Sequence, residues 1–217
     1  MTESQKITIA IDGPAASGKG SLAKKLATKL GYDFLDTGAL YRRVALNILD
    51  SGGDIEDQEL AIQTAQDFSQ NLKASDLEDE SLRLDEVGSA ASKIAQIAEV
   101  RQVLVDFQRD FARKSEAGAV LDGRDIGTII CPEAQIKLFV TASPEKRAER
   151  RHKELHLRGI DATYGNVLAE MLERDERDAV RLDPHLAPDH KVDVIDTSDM
   201  TPNEVMEEVL KIIHSRI

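Results

Sequence analysis

The chain has 217 residues, of which 41% are hydrophobic and 31% charged, and its formal net charge is -12, which suits one globular domain with its own core. The negative charge and the low aromatic content (4%, no Trp) argue against a nucleic-acid partner, which would need a basic surface or stacking side chains. The lone Cys131 excludes an internal disulfide and a Cys-rich metal site, and no apolar stretch predicts a signal peptide or membrane span, so we expect a cytoplasmic monomer with no membrane partner.

Short β-branched runs alternate with helical patterns along the chain. This alternation predicts an α/β fold with a parallel β-sheet core and helices on both faces. Ser143 followed by Pro144, and Thr201 followed by Glu204, are start signals for two of the helices. The predicted strands cover 6–11, 32–35, about 120–121, 136–140 and 192–195, and the first two helices cover 19–30 and 39–49.

A long segment separates the second predicted strand from the third. Such a long crossover indicates an inserted subdomain, and inserted segments often carry function. Its middle, 75–81, is acidic, and we expect a solvated loop there. Helical periodicity predicts three helices in this segment, at 57–72, 87–97 and 100–114.

A phosphate-binding loop follows the first strand. The segment from Gly13 to Lys19 fits G-x-x-x-x-G-K, with a predicted strand before it and a predicted helix after it. Its backbone N–H groups and the helix N-terminus favour an anion, and Lys19 can reach the β- and γ-phosphates of ATP. The predicted ATP-binding residues are Gly13, Pro14, Ala15, Ala16, Ser17, Gly18, Lys19, Gly20 and Ser21.

One position of this loop departs from the general pattern. Gly20 stands where a Ser or Thr hydroxyl would hold Mg²⁺. We expect Ser21 to meet a phosphate, and we expect the Mg²⁺ that accompanies ATP to depend on water and on a carboxylate such as Asp122, with no firm direct ligand.

Two further polar segments leave strand ends on the same edge of the predicted sheet as the phosphate loop. They are 35–42 and 122–127, and ligands of open α/β sheets bind at that edge. Arg42 and Arg124 offer bidentate donors that suit a second phosphate. Ordinary turn chemistry is the alternative, because turns attract Asp and Gly.

Arginines are concentrated in the last third of the chain. One set lies along a predicted helix (Arg147, Arg150, Arg151 and Arg158), and Arg174, Asp178 and Arg181 follow at i, i+4 and i+7 on one face. Interleaved glutamates leave a salt-bridged solvated helix as the alternative to phosphate binding. His152 and His156 are four residues apart, but no third metal ligand is evident, and we expect an exposed pair.

Five motifs occur in a fixed order over nearly the whole chain. They are 18–21, 36–42, 90–93 followed by 100–101, 122–128 and 174–181. Together they resemble the bacterial cytidylate kinases. The resemblance implies a P-loop nucleoside monophosphate kinase fold and transfer of the γ-phosphoryl group of ATP to CMP or dCMP. It implies a core at 1–56 and 116–217, an acceptor-binding insert at about 57–115 and a helical lid at about 150–175, although 72–84 is shorter than in that family.

The resemblance also implies roles for individual residues. The CMP phosphate and ribose would be held by Thr37, Arg42, Arg124, Arg174, Asp178 and Arg181. Ser92, Arg101 and Asp125 would face the base, since a carboxylate suits the cytosine amino group and a guanidinium suits its acceptors. Lys19, Arg150 and Arg151 would neutralise the transferring group. Two alternatives stay open, namely a kinase for another small acceptor and a nucleotide-binding switch without transfer chemistry.

Overall fold

The computed structural model of the chain describes residues 6–72, 74–182 and 191–216. The chain divides into two compact units, each described by itself below. The core unit lies within residues 1–35 and 115–217, and the helical unit comprises residues 36–114. No helix of the described residues is long and apolar enough to cross a membrane.

The core unit is built on a five-stranded sheet, counted over the described residues. Its central strands pair in parallel, with Ile11 opposite Asp122, and Asp12 opposite Phe139. The predicted α/β class with a parallel sheet is therefore confirmed. The strands are β1 (Thr8–Asp12), β2 (Asp33–Asp36), β3 (Ala119–Gly123), β4 (Ile136–Thr141) and β5 (Asp193–Asp196), in the order β2-β3-β1-β4-β5.

Two helices cover the apolar face of this sheet. They are α1 (Lys19–Leu30) and α8 (Pro202–Arg216), and both pack on the strand face that carries Ile9, Ile11 and Leu138. Alternation along a strand sends Ala10 and Asp12 to the opposite face. This face assignment matters for the site, because Asp12 is the last residue of β1.

Two more helices of the core unit form a pair, α6 (Pro144–Leu157) and α7 (Tyr164–Asp178), which share a small cluster around Ala148, Leu155 and Met171. Both predicted start signals are confirmed. The Ser143 hydroxyl accepts from the Lys146 N–H at the start of α6. Glu204 accepts from the Thr201 N–H at 2.8 Å at the start of α8.

The helical unit contains the predicted helices with shifted ends. They are α2 (Thr37–Asp50), α3 (Gln58–Asn71), α4 (Asp85–Ile94) and α5 (Ala98–Lys114). The prediction of a solvated loop at 75–81 is wrong. Two 3₁₀ turns, Ala74–Leu77 and Glu80–Arg83, occupy this stretch, and the Arg43 guanidinium donates to the Asp76 carbonyl and the Asp79 carboxylate at 2.7 and 3.0 Å.

Candidate functional site

The phosphate loop connects β1 to α1 through an unusual backbone. Gly13 has φ of 146°, and a Cβ atom there would lie 2.0 Å from the Val140 carbonyl oxygen, so only glycine fits. Ala16 takes the left-handed region with φ of 56°, a strained conformation for a residue with a side chain. Strain of this kind concentrates at ligand-binding loops, and the loop leads directly into the N-terminus of α1, where an anion is favoured.

Lys19 and Asp122 form an ion pair at the centre of the core unit's strand ends. The Lys19 Nζ lies 3.3 Å from the Asp122 Oδ1, and the Asp122 side chain is only 5% exposed. A Cβ atom on Gly20 would lie 3.0 Å from the other carboxylate oxygen of Asp122. Any side chain at this position would therefore require the Asp122 carboxylate to shift by a few tenths of an ångström.

This arrangement fits a nucleotide-bound Mg²⁺ held chiefly through water. Asp122 supplies one hard oxygen donor group, and Ser21 is exposed in the first turn of α1. Mg²⁺ prefers a few carboxylate and phosphate oxygens together with several waters. Among the described residues, no group of three or more His, Cys, Asp or Glu side chains could hold a metal ion by itself.

Two arginines of α6 donate to carbonyl groups of the phosphate loop. Arg147 is buried, donates to the Ala15 carbonyl at 3.4 Å and forms a bidentate pair with Asp175 of α7, at 3.0 and 2.6 Å. Arg150 donates to the Ser17 carbonyl at 3.3 Å and to the Thr197 carbonyl at 2.5 Å. The α6–α7 pair is thus tied to the loop that would hold ATP.

Arg151, the neighbour of Arg150, has a different environment. Its Nη1 lies 2.8 Å from the Glu154 carboxylate on the same helix. The pair is an i,i+3 ion pair of the salt-bridged alternative, although the Arg151 side chain itself is only 18% exposed. The His152 ring meets the Tyr164 ring edge to face, with 6.4 Å between centroids, whereas His156 is exposed.

Asp178 is the centre of an arginine cluster in the core unit. Its side chain is 5% exposed, and Arg124 donates to it at 2.9 Å, while Arg181 also bonds to it and Arg174 lies at 4.0 Å. Burial opposes the charge of Asp178, but the three guanidinium groups hold its pKa below the usual value. The structure therefore brings together four of the residues singled out in the sequence, with Arg181 on a 3₁₀ turn that follows α7.

The turn after β3 positions Asp125. Residues Ile126–Ile130 form a π-helical turn that the sequence analysis did not foresee. The N–H groups of Ile126 and Gly127 donate to the two carboxylate oxygens of Asp12, each at 2.8 Å. Burial raises the pKa of Asp12 to about 7, although these two hydrogen bonds act in the opposite direction.

The remaining predicted residues belong to the helical unit. Thr37 and Arg42 lie on α2, which packs against α4, where Ser92 is buried. Arg101 is half-buried on α5. Arg42 pairs with Asp36 at 2.5 Å, and the Asp36 carboxylate also caps the start of α2 by accepting from the Ala39 N–H. How these residues relate to those of the core unit stays a prediction.

Three residues of the site were missed by the sequence analysis. Asp12 accepts hydrogen bonds from the turn after β3, Thr197 accepts one from Arg150, and Asp175 pairs with Arg147. Asp12 carried a detectable signal, since it is a charged residue at the end of a buried strand, directly before the phosphate loop. Thr197 and Asp175 had none, because their partners lie 47 and 28 residues away.

Comparison with known proteins gives consistent matches. Residues 9–215 match the family model described as cytidylate kinase. A cytidylate kinase of Paramagnetospirillum magneticum is 54% identical, covering 96% of this chain and 98% of that protein. Relatives of the same name from Xanthobacter autotrophicus and Rhodospirillum rubrum are each 48% identical, covering 97% and 94% of this chain and 98% and 96% of their own.

Solved structures support the fold. An uncharacterised protein of Eubacterium ventriosum superposes with a TM-score of 0.57 at 16% identity, covering 97% of this chain and all of that one. A shikimate kinase of Bacteroides thetaiotaomicron superposes with a TM-score of 0.52 at 11% identity, covering 96% and 98%. At these identities the likeness concerns the fold alone.

Proposed function

This chain belongs to the cytidylate kinase family, and we propose that it transfers the γ-phosphoryl group of ATP to CMP or dCMP, giving ADP and CDP or dCDP. The resemblance seen in the sequence is thereby confirmed at the level of the family. The family assignment makes the protein an ATP-dependent nucleoside monophosphate kinase, and the choice of acceptor is the part that experiment must test.

The observation that carries the proposal is the arginine cluster around Asp178. A phosphate loop by itself indicates a bound nucleotide but no reaction. The cluster adds three guanidinium groups, those of Arg124, Arg174 and Arg181, held by one buried carboxylate in the same compact unit as the loop. Guanidinium groups bind phosphate through paired donors, so the cluster suits the phosphate of an acceptor nucleotide.

Positioning and charge neutralisation account for most of the chemistry in this reaction class. The attacking CMP phosphate oxygen is already ionised at neutral pH, so no strong general base is required. Lys19, Arg150 and Arg151 are proposed to neutralise the transferring group. Mg²⁺, held through water near Asp122, would supply further positive charge at the phosphates when bound.

The proposal assigns the remaining acceptor contacts in two groups. The CMP phosphate and ribose would be bound by four residues of the core unit, Arg124, Arg174, Asp178 and Arg181, and by Thr37 and Arg42 of the helical unit. The base would be faced by Ser92, Arg101 and Asp125. We also propose an acceptor-binding insert at about 57–115 and a lid at about 150–175. We propose that the protein is a cytoplasmic monomer. Size-exclusion chromatography with light scattering would test the oligomeric state, and cell fractionation would test the location.

A product assay separates this function from its alternatives. Wild type and Lys19→Ala are incubated with ATP, Mg²⁺ and one of CMP, dCMP, UMP, AMP or GMP, and nucleoside diphosphates are quantified. We expect CDP and dCDP from the wild type and almost none from Lys19→Ala, which should still fold but with a lowered melting temperature, because the variant removes a cation from the buried Asp122 carboxylate. A different preferred acceptor would indicate another small-molecule kinase, and slow ATP hydrolysis without a phosphorylated product would indicate a switch.

A further inference from the structure

Asp12 joins the phosphate loop to the turn after β3. It is the last residue of β1, directly before Gly13, and its carboxylate reaches the turn that follows the neighbouring strand β3. One oxygen accepts from the Ile126 N–H and the other from the Gly127 N–H, each at 2.8 Å. These N–H groups begin the π-helical turn, where a helical segment has no acceptor of its own for them.

The residue that would ordinarily cap this turn is Asp125. An Asp directly before a helical segment commonly caps it with its own side chain. Among the described residues, the cap comes from Asp12, and the Asp125 side chain makes no capping bond. The backbone of Asp125 is nevertheless fixed, because its carbonyl accepts from the Ile129 and Ile130 N–H groups at 2.9 and 3.1 Å.

We propose that Asp12 is a positioning residue for the acceptor nucleotide. By capping the turn in place of Asp125, it holds the backbone that directs the Asp125 carboxylate and the neighbouring Arg124, and it ties that backbone to the start of the phosphate loop. This inference rests on the proposed function, in which Arg124 and Asp125 bind CMP. Asp12 acts through these residues and is not assigned a contact with substrate.

A buried lysine also contacts the turn, from the same face of the sheet as Asp12. Lys137 of β4 is 2% exposed, and a Cβ atom on Gly127 would lie 3.1 Å from its Cγ atom. Asp12, Arg124 and Lys137 line one small pocket beneath the turn. The turn therefore contacts both the Asp12 carboxylate and the aliphatic stem of Lys137, and small changes at either contact should shift Asp125.

Two substitutions at Asp12 grade the loss of the cap. At pH 8, above the raised pKa of Asp12, both carboxylate oxygens accept; Asp12→Asn keeps one acceptor but turns an amide donor toward an N–H group, and Asp12→Ala removes both acceptors. An unpaired buried N–H group costs roughly a factor of ten in an equilibrium constant. We expect KM for CMP to rise about tenfold in Asp12→Asn and further in Asp12→Ala. In both variants KM for ATP should change by less than about threefold, and the ratio of kcat/KM for CMP to that for UMP should fall.

Gly127→Ala perturbs the same turn while keeping the Asp12 side chain, and Glu204→Gln is the matched acid-to-amide control at the cap of α8. We expect Gly127→Ala to raise KM for CMP in the same selective way, and Glu204→Gln to leave both KM values unchanged. If both Asp12 variants fail to fold, Gly127→Ala decides the matter, and an unchanged KM for CMP in it overturns the inference.

The outcomes distinguish this inference from the proposed function. If the wild type makes no CDP, the proposed function and the inference both fall. If the wild type makes CDP but the Asp12 variants raise KM for ATP as much as KM for CMP, only the inference falls, because Asp12 would then support the phosphate loop alone. Variants with a lowered melting temperature and unchanged KM values would also overturn it, since they would indicate a purely structural role.

Discussion

Arg150 donates to the Thr197 carbonyl oxygen at 2.5 Å, and so ties α6 to the segment after β5. The same guanidinium donates to the Ser17 carbonyl of the phosphate loop at 3.3 Å. Because these contacts hold the phosphate loop, which would bind ATP, Arg150→Ala should raise KM for ATP as well as lower kcat. Arg151→Ala should lower kcat without raising KM for ATP, if Arg151 acts on the transferring group.

Steady-state kinetics with ATP and CMP varied in turn would check this difference. Arg150→Ala and Arg151→Ala control for each other, since each removes an arginine side chain and the two positions are adjacent. A normal KM for ATP in Arg150→Ala would mean that its contacts to the loop do not matter for binding. An unchanged kcat in Arg151→Ala would mean that Arg151 serves its ion pair with Glu154 and not the transferring group.

Local features of the chain were predictable from the sequence, and α1 illustrates why. Its period, its start after the phosphate loop and its end at Gly31 lie within one short stretch, and the predicted bounds 19–30 agree with the structure. The arginines around Asp178 were found for a similar reason, since Arg174, Asp178 and Arg181 are close in the chain. Motif spacing captures this kind of information.

Contacts between distant parts of the chain were not predictable in the same way. The bond from the Ile126 N–H to Asp12 spans 114 residues, and the bond from Arg150 to Ser17 spans 133. Neither the periodicity of the sequence nor the spacing of its motifs predicts contacts between residues so far apart. The 3₁₀ turns at 74–77 and 80–83 were missed because Arg43, which anchors them, lies more than 30 residues earlier.

The Asp178 cluster predicts a stability that depends on acid pH. Because its folded pKa lies below that of the unfolded chain, Asp178 stabilises the fold above about pH 4, and this contribution is lost as the pH falls through the folded pKa. Asp178→Asn should cost up to about 3 kcal/mol at pH 7. The melting-temperature gap to the wild type should then shrink below pH 4.

Asp110→Asn is the matched control for this measurement, because Asp110 pairs with Lys114 on the exposed side of α5. Surface pairs contribute little, so this variant should melt with the wild type at pH 7. If Asp178→Asn also melts with the wild type at pH 7, the cluster does not stabilise the core unit.

Asp12 predicts a pH dependence of the opposite sign. Burial raises its pKa from 3.8 to about 7 in the folded chain, and the charges of Asp125 and Asp122 act in the same direction. The favourable contribution is complete below 3.8 and is lost as the pH rises through about 7. Wild type should therefore lose stability as the pH rises from 4 to 7, a loss that Asp12→Asn escapes because it cannot ionise.

Chemical denaturation of wild type and Asp12→Asn at pH 5, 6, 7 and 8 would measure this effect. The stability advantage of the wild type should fall between pH 5 and 7. Glu204→Gln controls for general pH effects, since the pKa of Glu204 is lowered and its own dependence lies at more acid pH. A constant advantage would mean that Asp12 ionises at an ordinary pH.

Base choice is the sharpest prediction for the proposed acceptor site. Asp125 is buried in the core unit, and Ser92 and Arg101 lie on α4 and α5 of the helical unit. We predict that all three meet one pyrimidine edge, with Asp125 accepting from the cytosine amino group. Uracil has a carbonyl oxygen at that position, so UMP would set an acceptor against a carboxylate, and its N3–H would face the Arg101 donor.

Sites built around a buried hydrogen bond reject the wrong analogue by up to about 10⁴ in kcat/KM. CMP should therefore exceed UMP clearly in the wild type, and Asp125→Ala should reduce the ratio mainly by harming CMP. Asp125→Asn is the informative partner variant, because its amide can donate to the uracil oxygen and should improve UMP relative to Asp125→Ala. The measurement is kcat/KM for CMP, dCMP, UMP and AMP with all three proteins. Equal use of CMP and UMP by the wild type, or a ratio that neither variant changes, would remove Asp125 from base recognition while leaving the kinase assignment intact.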